Sequence, residues 1–276
     1  IEMKKISLAL LMILTAVFVL SACGTAKDDN AKKDDNNTGS TEGDLLAKVQ
    51  EEGELLVGTE GTYPPFTYHD ETGKLTGFDV EIAEEVASRL GVKAKFMETQ
   101  WDAIFAGLDS KRFDMIANQV GINEERMEKY DFSEPYISSV AVLVTQKGNK
   151  DVKSFEDIDG LKSAQSLTSN YAEIAKSNGA ELVGVEGFNQ AIELLNSKRV
   201  DDTVNDNVSV LYFITQKPDA AIQIVDHSGD AAQSGLMFNK GNETLVEAVN
   251  EALNEMIEDG TYDKISDKWF GENVLE

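Results

Sequence analysis

Leu108-Asp109-Ser110-Lys111-Arg112-Phe113-Asp114 returns 87 residues further on as Leu195-Asn196-Ser197-Lys198-Arg199-Val200-Asp201. At the same spacing Trp101 falls on Phe188, and Asn118-Gln119 falls on Asn205-Asp206. Ser-Lys-Arg is a common helix ending and recurs by chance, so the surroundings decide. In the first copy Ile104, Phe105 and Leu108 mark a helix, and residues 113–117 read as a strand. Upstream, residues 55–59 and 94–98 read as strands. Between them Ile82, Val86 and Leu90 recur at helical spacing with Ala83 and Ala87 beside them, and Gly91 suits the C-terminal cap. The second copy offers strands at 163–167 and 182–185 with a helix over 170–177 between them. This alternation predicts right-handed βαβ units, parallel sheets and two similarly built lobes.

The chain has 276 residues, 41% of them hydrophobic, enough for one large or two small domains. Its 25 Lys and Arg against 50 Asp and Glu leave a net charge of −25. Such a surface repels phosphate backbones, which excludes nucleic acid as the expected partner. Cys23 is the single cysteine, so neither an intrachain disulfide nor a cysteine zinc site is available. His69 and His227 both fall in polar turns and read as solvated loop residues. No cofactor and no metal are expected.

The first residues read as an address. Lys4 and Lys5 precede an apolar run over 6–20, shorter than the roughly 20 residues that span a bilayer comfortably. The run ends in Leu20-Ser21-Ala22-Cys23-Gly24, which resembles a bacterial lipobox. That resemblance implies a signal peptide over 1–22, with Ile1 and Glu2 ahead of a start at Met3, and a diacylglycerol lipid on Cys23. Residues 25–43 are polar apart from Ala26 and Ala31, so 23–43 is expected to be a disordered tether.

In open α/β sheets ligands bind beyond the carboxyl ends of strands. Glu60, Asn118-Gln119, Thr168-Ser169-Asn170 and Asn205-Asp206 all fall at such ends, two groups to each half. If the lobes face each other, these groups meet in one cleft. Tyr63 and Phe66 follow the first strand on a loop stiffened by Pro64 and Pro65, and are either pocket walls or core. Trp101, with Asp102 after it, opens a helix and has the same two readings. Asn123 is a good N-cap for the helix carrying Arg126, and Gly121 lets backbone approach a ligand. Arg126 is either a bidentate receptor for a carboxylate or a surface partner of Glu124, Glu125 or Glu128. Asp206 is either a partner for an ammonium or a helix cap. Together an arginine and an aspartate from opposite lobes would receive a zwitterion.

Thr62-Tyr63-Pro64-Pro65-Phe66, Gly77-Phe78-Asp79-Val80-Glu81-Ile82-Ala83, residues 101–108, residues 123–126 and Asp131-Phe132-Ser133-Glu134-Pro135-Tyr136 resemble the family 3 solute-binding proteins of polar amino-acid ABC transporters. Residues 59–63, 98–102 and 166–171 are most similar to the cystine-binding branch. The resemblance implies an α/β fold of two lobes, periplasmic-binding-protein-like and of type II, with two parallel-rich sheets, helices on both faces and two crossing strands. It implies one lobe from 44–140 and 236–276, the other from 141–235, with crossings over 140–145 and 235–239. It places Arg126 on the ligand α-carboxylate, Asp206 on its α-ammonium, and Tyr63 and Trp101 beside its side chain. Glu60, Asn118, Gln119, Gly121, Thr168, Ser169 and Asn170 would complete the site. Many relatives carry small hydroxyl residues where Asn118, Gln119 and Asn170 stand. The implied protein is a monomeric binding lipoprotein on the outer face of a Gram-positive cell membrane, with L-cystine as ligand and an ABC permease as partner. A sensory binding partner or a dehydratase-like enzyme using Glu60 and Asp206 are the alternatives on the same architecture.

Overall fold

The computed structural model describes residues 44–275, so the expected signal peptide, tether and Cys23 lie outside the described residues. The chain opens with α1 (Leu45–Glu52) and β1 (Glu54–Thr59), then a small sheet of β2 (Thr62–Tyr63), β3 (Thr67–His69) and β4 (Leu75–Thr76). α2 (Phe78–Arg89), β5 (Lys93–Glu98), α3 (Trp101–Asp109), β6 (Met115–Ile116), α4 (Glu124–Lys129) and β7 (Tyr130–Phe132) follow. β8 (Ile137–Ser139) leads to β9 (Ala141–Gln146), β10 (Lys162–Gln165), α5 (Asn170–Ser177), β11 (Glu181–Gly184), α6 (Phe188–Asn196), β12 (Asp202–Asp206), α7 (Asn207–Gln216) and β13 (Ile222–His227). β14 (Ala232–Ser234) returns the chain to β15 (Met237–Asn239), α8 (Glu243–Glu258) and α9 (Thr261–Phe270).

Two five-stranded sheets result, ordered β5-β1-β6-β15-β7 and β11-β10-β12-β9-β13. In each, the first three strands are parallel and the fourth runs against its neighbours. The sequence repeat is therefore a repeat of structure. α3 and α6 start at Trp101 and Phe188 and each span nine residues. Each ends in a left-handed lysine, Lys111 at φ 57° and Lys198 at φ 58°, the backbone turn that closes a helix C-terminus. Asp114 then accepts the Leu56 backbone N–H at 3.0 Å, and Asp201 accepts that of Lys162 at 2.9 Å, tying each motif to a parallel strand of its own sheet, β1 in one lobe and β10 in the other.

The helical spacing of Ile82, Ala83, Val86 and Ala87 buries one face of α2, which packs on β1, β5, α8 and α9. Each large apolar side chain buried this way contributes about 1.5–3 kcal/mol. Only Met115 and Ile116 of the run 113–117 pair as a strand. Phe113 instead turns its ring into the core, where a Cβ at Gly58 or Gly107 would fall within 2.5 Å of it. Those two glycines are small because the ring needs the space.

The crossing strands differ from expectation. Residues 141–146 are β9, an interior strand between β12 and β13, and 237–239 are β15, interior to the first sheet. The chain crosses one segment earlier in each direction, on β8 and β14, which pair with each other as Ile137↔Ser234, Ser138↔Gln233 and Ser139↔Ala232. The reason is burial: Val142, Leu143 and Val144 are fully buried on alternating faces, which demands cover on both sides. Serine-rich crossings do not.

One interior acid is poorly partnered. Asp202, at the start of β12, is fully buried, and neither carboxylate oxygen makes a well-aligned hydrogen bond, although the Ser163 side chain stands beside it. Burial pushes it up to about 7, with the Ser163 side chain on β10 offsetting only part of the shift.

Candidate functional site

The carboxyl ends of β1 and β6 in one lobe and of β10 and β12 in the other border a common cleft. A cavity there is lined by Glu60, Tyr63, Trp101, Asn118 and Gln119 from the first lobe, and by Gln165, Ser169, Asn170, Tyr171, Phe188 and Asn205 from the second. Asn118 organises its acidic end. Its Nδ2 donates to Glu60 Oε2 at 2.6 Å, while its Oδ1 accepts the Glu60 N–H at 2.8 Å and the Thr59 hydroxyl at 3.2 Å. Burial pushes the Glu60 carboxyl up to about 7, although Asn118 and the backbone of Trp101 hold it down in part. A cationic group in the cavity would reverse that shift by supplying the missing opposite charge.

Aromatic walls close the cavity. Tyr63 reaches across the cleft and donates to Asn205 Oδ1 at 2.7 Å. Trp101 is almost wholly buried, and its indole Nε1 has no acceptor. That leaves one donor in the wall unmet.

Gln119 sits at φ 52°, held by Asp79, which accepts its backbone N–H at 2.7 Å and its side-chain Nε2 at 2.8 Å. Asp79 therefore engages the backbone N–H and one side-chain N–H of Gln119, and burial pushes Asp79 up to about 7. Gly121 is not required for space: a Cβ there would stand 3.6 Å from Arg126 Nη1 and from Asn170 Cγ, ordinary contact distances. Its contribution is a carbonyl that accepts from Arg126 Nη1 at 2.8 Å. Ser169 caps α5 by accepting the Ala172 N–H at 3.0 Å.

The structure does not bring Arg126 and Asp206 into the cavity that holds Glu60. Asn123 caps α4 as expected, accepting the Arg126 N–H at 2.8 Å. The buried guanidinium sits 5.5 Å from the Trp101 ring centre and 5.4 Å from that of Phe105, and donates to the carbonyl of Thr168 at 3.1 Å. None of Glu124, Glu125 and Glu128 pairs with it; Glu125 pairs with Lys129 instead. Burial lowers its affinity for its proton. Asp206 borders a separate cavity with Gly121, Ser139, Tyr171 and Ser234. There it caps α7, accepting the N–H groups of Val208 at 2.8 Å and Ser209 at 3.2 Å, and the Tyr171 hydroxyl at 3.3 Å. Burial raises its pKa above the ordinary carboxylate value, against the lowering effect of those donors and Ser139. Gln119, Asn170 and Tyr171 line both cavities and form the partition between them.

Tyr171 and Phe188 were not among the expected site residues. Phe188 was legible as the repeat partner of Trp101. Tyr171 carried no signal beyond its place after the Thr168–Asn170 turn, because which face of α5 meets the cleft is set by tertiary packing. Among the described residues no group of three or more His, Cys, Asp or Glu side chains is placed to hold a metal.

Similarity to known proteins fits this architecture. The chain is 51% identical over 273 residues to the L-cystine-binding protein TcyA of Bacillus subtilis (strain 168), covering 99% of each chain. The fold superposes on an ancestral arginine-binding protein bound to arginine with a TM-score of 0.75 at 41% identity, over 79% of this chain and 98% of that one. Against the L-cystine solute receptor of Neisseria gonorrhoeae in its unliganded open conformation, identity is 48% over 85% of this chain and 100% of that one, with a TM-score of 0.56. Better superposition on the arginine-bound protein, despite lower identity, is what a closed pair of lobes gives. Residues 55–272 match the family model, and the chain belongs to the bacterial extracellular solute-binding proteins, family 3.

Proposed function

We propose that this chain is the substrate-binding protein of an amino-acid ABC importer and that its ligand is L-cystine, held between the two lobes. The observation that carries the reading is the pair of adjoining acidic cavities, Glu60 in one and Asp206 in the other, with a thin partition of Gln119, Asn170 and Tyr171. A ligand with an ammonium at each end offers a partner to both acids. Arg126 would meet the proximal carboxylate once its bonds to the Gly121 and Thr168 carbonyls are exchanged for it. Tyr63 and Trp101, which line the first cavity, would pack the disulfide. Likeness to TcyA supports the same ligand.

Binding without turnover is the proposed activity. Glu60 and Asp206 line separate cavities, and Asp206 is committed to capping α7, an arrangement unsuited to a concerted acid–base pair. The working form would be a monomer outside the cytoplasm of a Gram-positive cell, attached through diacylglycerol on Cys23 and delivering to a membrane permease. Titration calorimetry with L-cystine, arginine, histidine and glutamine tests the ligand. L-cystine should bind most tightly. Arginine or glutamine binding at least about tenfold tighter would remove the assignment.

A further inference from the structure

Asp102 lies in the first turn of α3, on the rim of the cleft and outside the cavity that holds Glu60. All three hydrogen bonds that its carboxylate accepts come from the other lobe. Oδ1 takes the Thr168 N–H at 3.1 Å and the Thr168 hydroxyl at 2.7 Å, and Oδ2 takes the Leu167 N–H at 3.3 Å. It forms no ion pair among the described residues. A carboxylate in a helix first turn is ordinarily explained by the dipole of its own helix. Here its hydrogen bonds instead cross the cleft to a turn between β10 and α5. The first lobe holds the same turn at a second point, where the Thr168 carbonyl accepts from Arg126. Leu167 remains half exposed, so the turn is not fixed by apolar burial.

We infer that Asp102 is a positioning residue that latches the lobes shut: it grips the Leu167–Thr168 backbone only when the cleft is closed, and it sets how long a ligand stays bound without touching that ligand. Donors meet the carboxylate only when the second lobe swings in, so its bonding favours the closed population specifically. Charge-assisted bonds to backbone N–H are the stronger class, while exposure at the rim tempers them. The inference rests on the lobes closing round an amino acid, and its test separates failure of the latch from failure of the cystine assignment.

The experiment compares the full chain with Asp102→Ala and Asp102→Asn. L-cystine is the probe, read by stopped-flow binding and by hydrogen exchange at single amides. Dissociation should accelerate about tenfold in Asp102→Ala, while association changes less than about twofold. The amides of Leu167 and Thr168 should lose protection, and those in the middle of α3 should keep theirs. Thr168→Val in the Asp102→Ala background should add less than it does alone, because the two remove one shared bond. Unchanged dissociation, or equal exchange at Leu167 and Thr168 in both proteins, overturns the latch. Loss of protection throughout α3 would assign Asp102 a purely structural role and also overturns it. If wild type fails to bind L-cystine, the proposed ligand falls, and whichever of arginine, histidine or glutamine binds takes its place as the probe, with the same two outcomes at Leu167 and Thr168 deciding the latch.

Discussion

Replacing Asp202 by asparagine should stabilise this protein at pH 8, and the effect should depend on pH. The carboxyl is fully buried between β9 and β10 with no well-aligned donor to either oxygen, and burial holds it at about 7 rather than its ordinary 3.8. At 1.36 kcal/mol per pH unit, that gap means an ionised Asp202 costs the fold about 4 kcal/mol once the pH is above 7. A buried amide with poor partners carries its own cost of about 1–3 kcal/mol, so the net gain for Asp202→Asn at pH 8 is roughly 1–3 kcal/mol. The sign follows from proton counts. Between about 4 and 7 the native state holds a proton on Asp202 that the unfolded chain has released, so stability falls as pH rises through this window. Below it both states are protonated and the term vanishes. Glu60 and Asp79, also held at about 7, act in the same direction and keep doing so in the variant. Urea unfolding of both proteins at pH 8, 6 and 4 measures the difference directly. The gain should be largest at pH 8 and turn into a loss of about 1–3 kcal/mol at pH 4, where Asp202 is protonated and only the cost of the amide remains. A gain that ignores pH, or a loss at pH 8, would refute the claim that an unpaired carboxylate strains this sheet.

Other expectations follow from the site. Asp206→Asn and Asp206→Ala should each weaken L-cystine binding by more than about tenfold, as loss of one partner of a desolvated charge pair does. Only the alanine variant should also lower thermal stability, by about 1 kcal/mol, since the Val208 and Ser209 N–H groups then lose their cap; equal stability of the two would count against the capping role. Tyr63→Phe removes the 2.7 Å bond to Asn205 and should weaken binding about fivefold, mostly through dissociation, as surface plasmon resonance can record. Gly121→Ala should bind within about threefold of wild type, because the added Cβ meets its neighbours at 3.6 Å; a far larger loss by calorimetry would mean the ligand lies against that backbone. Cys23→Ser should move the protein from the membrane fraction to the medium or leave it unprocessed, and an unmodified Cys23 in mass spectra of the native protein would defeat the anchor.

Periodicity and repetition carried the fold. The span 170–177 is helical over the whole predicted range, and the 87-residue echo reappears as matching helices, left-handed lysines and strand-binding aspartates. Individual side chains were harder to place. The apolar run of β9 has the composition of any buried strand, and only its pairing with β12 and β13 distinguishes an interior strand from a crossing. Asp206 presented both readings, and the structure shows the capping role while leaving its second oxygen toward Tyr171. Gln119 reads as a ligand donor at a strand end, and what the sequence does not show is that its backbone N–H and one side-chain N–H are engaged by Asp79, a residue 40 positions earlier. A contact so distant in sequence leaves no local trace.

The place of β15 bears on the order in which the chain can finish folding. The second sheet is assembled wholly from β9 to β13, so residues 141–227 contain every strand it needs. The first sheet has a gap between β6 and β7 that only β15 fills, through Met237↔Ile116 on one side and Met237↔Phe132 on the other. During synthesis or export the leading lobe therefore waits, with the edges of β6 and β7 unpaired, until residues 237–239 have emerged. The trailing lobe, though made later, has its complete set of strands first.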